Sequence, residues 1–200
     1  MKARVITTAL ITGALVLTAV APASAAPVSA ITAPSGSIVD VAVAASGGGT
    51  PDANPRDYDL LVQALTATGL VSVLADTSQK FTVFAPNDRA FLRLVEDLTG
   101  AHPANEAEAL TTITTALTAE QISNILLGHV VAGKKLGPLA VVTARSIPTA
   151  NGSEIRPRFL TLRDANPSFA DPKLVLSGIN IGASNGVIHT IDRVLVPATI

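Results

Sequence analysis

Near His129 the chain changes its hydrophobic period, and this change constrains the fold more than any other feature. Upstream, apolar residues recur at helical spacing: Tyr58, Leu61, Val62 and Leu65, then Phe91, Leu94, Val95 and Leu98. Leu110, Ile113 and Leu117 continue the pattern, as do Ile122, Ile125 and Leu126. Spacing of i, i+3, i+4, i+7 places such residues on one face of a helix. Downstream, the chain breaks into short β-rich runs separated by Gly, Pro and Asn. Helices first and strands last predict an α+β domain rather than an alternating α/β sheet.

Local signals place most of the boundaries. Ser37 and Asp40 have capping-box spacing with Asp in place of Glu, and Thr118 with Gln121 forms a second box. Asn87 or Asp88 is suited to start the helix that carries Phe91, and Asn105 with Glu108 to start another. Gly69 and Gly100 fall where helices would end. Phe81–Ala85 alternates like a strand. Further strands are expected at 129–132, 139–144, 153–157, 159–163, 173–176, 180–182 and 187–196. Asn151-Gly152 and Asn185-Gly186 are tight-turn signals.

The N-terminus is expected to be a signal peptide over residues 1–25. Lys2 and Arg4 precede an apolar stretch from Val5 to Val20, and Ala23-Ser24-Ala25 supplies the small residues of a cleavage site. The stretch is shorter than the roughly 20 residues of a membrane span. Residues 26–36 read as a flexible leader rich in Ala, Pro and Ser. The mature chain is therefore expected to be exported, without a membrane span. With no Cys in the sequence, disulfides, a Cys-based zinc site, a thiol nucleophile and a lipoprotein anchor are excluded, and packing alone must stabilise the fold. A near balance of 14 basic and 15 acidic residues argues against nucleic acid as a partner. Five Phe, one Tyr and no Trp leave little for base-stacking platforms.

Motifs for catalysis fare poorly. Gly182-Ala183-Ser184-Asn185-Gly186 matches G-x-S-x-G, but the nucleophile elbow needs a helix after the turn, and Val187–Val196 reads as a strand. His189 and Asp192 differ by three positions, so on a strand they face opposite ways. His102, His129 and His189 have no local metal-ligand spacing. The carboxylates lack the spacing of a calcium loop, and no phosphate-binding glycine motif is present. No catalytic, cofactor-binding or metal-binding residue is therefore assigned. His129 is expected to cap the last carbonyls of a helix, with a ligand or partner contact as the other reading. Asn151-Gly152-Ser153 matches a glycosylation sequon that the hairpin already explains. Arg156, Arg158 and Arg163 are expected to form a basic stripe on two strands joined by Pro157.

Two long segments carry a family resemblance. Phe81-Thr82-Val83-Phe84-Ala85-Pro86-Asn87-Asp88-Arg89-Ala90-Phe91 resembles the first signature box of the fasciclin, or FAS1, domain. Asn185-Gly186-Val187-Ile188-His189-Thr190-Ile191-Asp192-Arg193-Val194-Leu195-Val196-Pro197 resembles the second. Leu126-Leu127-Gly128-His129-Val130-Val131 is similar to the central histidine motif, and Ser37–Ala42 to the opening helix. The resemblance spans residues 37–197, leaving 198–200 as a tail. It is strongest to secreted single-domain bacterial members, notably actinobacterial ones.

The resemblance implies a FAS1-like α+β fold, a wedge-shaped β-sandwich with helices packed to one side. It also implies an extracellular, non-enzymatic module for adhesion or for contact with the cell envelope or matrix. An extracellular protein or cell-wall glycan is the expected partner, and the protein would be secreted or cell-wall associated. The alternative is a small-ligand carrier or sensor that uses an apolar groove between helices and sandwich. Animal members often have Tyr before the central His, a pair tied to integrin recognition. Gly128 stands there in this chain, and no Arg-Gly-Asp occurs. Only His129 carries over, as a candidate partner-binding position within the loop region Gly128–Leu136.

Overall fold

The computed structural model describes residues 36–198. The expected signal peptide, residues 26–35 of the leader and the last two residues of the tail lie outside the described residues. Seven helices are described: α1 (Ile38–Ala45), α2 (Asp59–Ala67), α3 (Val71–Ala75), α4 (Asp88–Thr99), α5 (Glu106–Ala116), α6 (Ala119–Gly128) and α7 (Pro138–Thr143). The strands are β1 (Phe81–Pro86), β2 (Val130–Ala132), β3 (Ile147–Pro148), β4 (Glu154–Arg158), β5 (Thr161–Arg163), β6 (Ile181–Ala183) and β7 (Gly186–Ile191).

The strands form two sheets. One has the order β2-β1-β7-β6, in which β1 and β7 run parallel and the outer pairs are antiparallel. The other is antiparallel, ordered β3-β4-β5. Lys173 bridges to Thr161 of β5 and Leu174 to Ile191 of β7, so this segment links the sheets. Val83, Ala85 and Ile188 face the helices and join Leu60, Leu94 and Leu126 in the larger core. Phe84, Val131, Leu162 and Ile191 fill the smaller core between the sheets. β1 is buried on both faces, and its one polar side chain, Thr82, is satisfied by donating to Lys134 O and accepting the Leu136 N–H.

The capping residues act as their chemistry predicts. Asp40 N–H donates to Ser37 Oγ, and Ser37 N–H donates to the Asp40 carboxylate at 2.7 Å. Asn87, Asn105 and Thr118 each accept a first-turn amide of α4, α5 and α6. Gly69 and Gly100 adopt φ of +71° and +74° at helix ends, where a Cβ would be strained.

Four strand boundaries differ from the expectations. Residues 139–144, half of them β-branched and expected as a strand, supply most of α7 and its C-cap, because Gly137 is the N-cap and Pro138 occupies the first turn. Only Val141 of that helix is buried. Segment 173–176 makes single bridges and then a 3-10 turn at Leu176–Gly178. The join between β4 and β5 is Phe159-Leu160, with Phe159 at φ +57°, and Pro157 lies inside β4. Finally, β7 stops at Ile191. Residues 192–197 stay anchored without a ladder, as Asp164 accepts the Val196 N–H and Asn166 donates to Pro197 O.

Candidate functional site

Three places hold polar groups where the fold would not need them for packing alone: the buried histidines, a groove beside β7, and an acidic cluster at the start of α2.

His129 ends α6 and is 1 % exposed. Leu195 N–H donates to its Nε2 at 2.8 Å, so Nδ1 carries the proton and donates to Ile125 O at 2.8 Å. The helix-capping expectation therefore holds. As a partner-binding candidate, the imidazole presents no surface, since both nitrogens are engaged inside the fold. His189 has the opposite tautomer: Asn180 N–H donates to Nδ1 at 3.2 Å, and Nε2 donates to Leu136 O at 2.7 Å. Its ring stacks on Phe84 with centroids 5.8 Å apart. Burial pushes both rings below the ordinary histidine range, His129 to about 4. His102 is exposed, beside Glu96. The three histidines thus share no site.

Gly128, in the place of the aromatic partner, lies under a side chain. A Cβ there would stand 3.0 Å from Asn151 Nδ2, which itself donates to Asn124 O at 2.9 Å. An aromatic ring at 128 would have to displace Asn151. The Asn151 side-chain oxygen also accepts Ser153 N–H and the Thr149 hydroxyl, so the sequon amide is bound into the β3–β4 turn. Ser184 sits in the turn between β6 and β7, and the segment that follows is a strand. The geometry is strand–turn–strand, which is not a nucleophile elbow.

The groove has a volume of about 530 Å³ and lies between the helical side and the sandwich edge. Arg56, Arg89 and Arg93 line it together with Ser177, Thr190 and Asp192. Arg93 is committed to Asp192, reaching its carbonyl at 2.8 Å and its carboxylate at 3.2 Å. Asp192 also accepts Lys173 N–H at 2.7 Å. Internal bonds therefore hold both His189 and Asp192. Arg56 and Arg89 are exposed and make no ion pair among the described residues. The groove is lined by polar and apolar groups together, Val175 and Ile181 beside the arginines, whereas the carrier alternative expected an apolar lining. Apolar hollows within the helix-side core are only about 20 and 10 Å³, room for about one water and far too small for an organic ligand.

Beneath the groove wall, Asp52, Asp57, Asp59, Asp88 and Glu106 converge. Oxygens of Asp52, Asp57 and Asp59 all lie within 4.8 Å of one another, as do those of Asp57, Asp88 and Glu106. Asp88 acts across the fold as the cap of α2, accepting Leu60 N–H at 2.7 Å and Asp59 N–H at 3.1 Å. Glu106 accepts Asp52 N–H at 2.8 Å. Burial, followed by the neighbouring Asp57 carboxyl, pushes Asp88 up to about 8. Burial and then nearby carboxylates also raise Asp59 and Glu106. Without the spacing of a calcium loop, Asp52, Asn54, Asp57 and Asp59 are nevertheless bunched in eight residues leading into α2. That bunching was the legible signal. The positions of Asp88 and Glu106 beside it come from tertiary contacts.

Comparison with known proteins agrees with this architecture. The family model for the Fasciclin domain matches residues 56–197. The protein sll1483 of Synechocystis sp. is 30% identical over 145 residues, covering 72% of this chain and 70% of that protein. The uncharacterized protein sll1735 of the same organism is 33% identical over 139 residues, with 69% and 88% covered. A solved FAS1 domain pair from the insect cell adhesion molecule Fasciclin I superposes with a TM-score of 0.54 at 17% identity. That match covers 72% of this chain and 48% of the insect chain, and it establishes the FAS1-like fold. Among the described residues, no helix is long and apolar enough to cross a membrane.

Proposed function

Because this chain belongs to the fasciclin domain family, we propose that it is a non-enzymatic binding module acting outside the cell, in adhesion or in contact with the cell envelope or matrix. In this reading residues 1–25 are removed on export and residues 37–197 form the binding domain. The observation that carries it is the open groove beside β7, with two exposed guanidinium groups that make no ion pair among the described residues. Arg is suited to planar, bidentate recognition of carboxylates and phosphates. The partner is therefore an acidic protein surface or an anionic wall glycan. The stretch Gly128–Leu136, with exposed Lys134 and Lys135, is a second contact region, to which buried His129 contributes by holding the backbone.

Retention of the purified protein on intact producing cells, isolated wall polymers and matrix proteins tests this. The expected result is saturable retention on one fraction, weakened at least about tenfold by Arg56→Glu with Arg89→Glu. Loss of retention in a folded His129→Ala copy would move the contact to the Gly128–Leu136 region. Absence of binding at micromolar concentration would sink the adhesion reading.

The groove volume of about 530 Å³ also suits a small ligand. Native mass spectrometry of freshly purified protein separates the two: a stoichiometric co-purifying anion supports a carrier.

A further inference from the structure

Asp59 is the least explained side chain in the fold. It is 0 % exposed, and no N–H or hydroxyl donor reaches either of its carboxylate oxygens. Asp57 Oδ1 is likewise buried without a donor, although its other oxygen accepts the Asn54 amide at 2.8 Å. An isolated buried carboxylate costs several kcal/mol, and here two of them lie within 4.8 Å of a third, Asp52. Asp88 and Glu106 bring no positive charge: Asp88 accepts two backbone amides and eases only Asp57, and Glu106 accepts one amide through a single oxygen, so Asp59 stays without a donor. Such a cluster needs positive charge, and no Lys or Arg supplies an ion pair to it among the described residues.

We infer that Asp52, Asp57 and Asp59 form a binding site for a hard divalent cation of the calcium kind. The donor set is oxygen only, which excludes soft metals as the preferred ligand. Calcium–oxygen distances of about 2.3–2.6 Å put opposite ligands about 5 Å apart, a span that the three carboxylates match. Asp52 is exposed, so it gives the ion a path in and leaves room for retained waters. Asp88 and Glu106 form the layer behind: Asp88 holds the amides at the start of α2, and Glu106 holds the amide of Asp52. The same loop supplies Asn54, Arg56 and Asp57 to the groove, so the ion would brace the groove wall. The inference goes beyond the binding-module reading and does not depend on it.

The chain has one Tyr and no Trp, and Tyr58 lies between Asp57 and Asp59 in sequence. Terbium titrated into the purified protein, with Tyr58 excited, therefore reports on this site. The expected result is saturable sensitised emission that calcium competes away and that Asp59→Asn weakens at least about tenfold. Calcium at ten times its dissociation constant should raise the thermal midpoint by about 3 °C. Asp59→Asn, relieved of repulsion, should be at least as stable as the parent in chelator and should ignore calcium. If that variant does not fold, exposed Asp52→Asn serves instead. Emission that is absent, or that persists unchanged in both variants, overturns the site. So does a midpoint that rises on acidification but ignores calcium, because protons alone would then neutralise the cluster. None of these readouts involves a partner, so failure here leaves the groove reading intact.

Discussion

His129 and Leu195 are joined by one hydrogen bond, in which the Leu195 N–H donates to Nε2 at 2.8 Å. This bond ties the end of α6 to the strandless C-terminal run, and it exists only while the ring is neutral. Protonated Nε2 could not accept.

The bond has a pH signature. His129 is held at about 4, against its ordinary 6.5, chiefly by burial. Between those values the unfolded chain binds the proton and the native ring does not. Stability contributed by the neutral ring is thus complete above 6.5, falls as pH drops through the window, and is lost below about 4. The shift corresponds to about 3 kcal/mol. Urea unfolding at stepped pH should show this loss in the parent and a flatter dependence in His129→Gln. Equal slopes in the two proteins would disprove the assignment.

Asn185 carries a comparable load without any charge. Its side-chain oxygen accepts Ile38 N–H at 2.8 Å, while its amide donates to Leu74 O at 2.7 Å and Asp76 O at 3.0 Å. One fully buried side chain therefore binds α1 and the end of α3 to the β6–β7 turn. Asn185→Ala should cost about 2–3 kcal/mol, because buried backbone groups lose their partners. A loss under about 0.5 kcal/mol in chemical denaturation would mean that water replaces the amide.

Gly186, the next residue, is required by close approach rather than by its backbone angle. A Cβ there would run into Ile38 and the Phe81 carbonyl. Gly186→Ala should destabilise by about 1–3 kcal/mol through overpacking. The α1 amides should lose hydrogen-exchange protection first. Unchanged protection in α1 would argue against this contact.

Tyr58 and Thr190 bridge the helices to β7 at 2.6 Å. Because the Thr190 hydroxyl donates to Gly178 O, Tyr58 O–H must be the donor in the pair. Tyr58→Phe should cost about 1 kcal/mol. Thr190→Val should cost more, since it also strands Gly178 O, and the difference is readable in urea midpoints. The reverse order would contradict the donor assignment.

Caps, turns and the doubly buried β1 were legible because each depends on neighbours within four residues or on one strand's own pattern. Ser37, Asn87, Asn105 and Thr118 read as helix starts for that reason, and the Asn-Gly pairs as turns. Leu139–Thr143 misled the reading because β-branched residues favour a strand only when a sheet edge is offered. Here Pro138 starts a helix and Val141 alone finds the core. The last strand was read too long for a related reason: Asp192 leaves the ladder to serve Lys173 and Arg93.

The sequence by itself determined the order of helices and strands, their caps and the two signature segments, all of which follow from short-range sterics and hydrogen bonding. Tertiary structure decided that His129 faces inward and that Arg56 and Arg89 line an open groove. It also brought Asp88 and Glu106 beside the Asp52–Asp59 loop, because only the packed core can hold like charges together that the extended chain would keep apart.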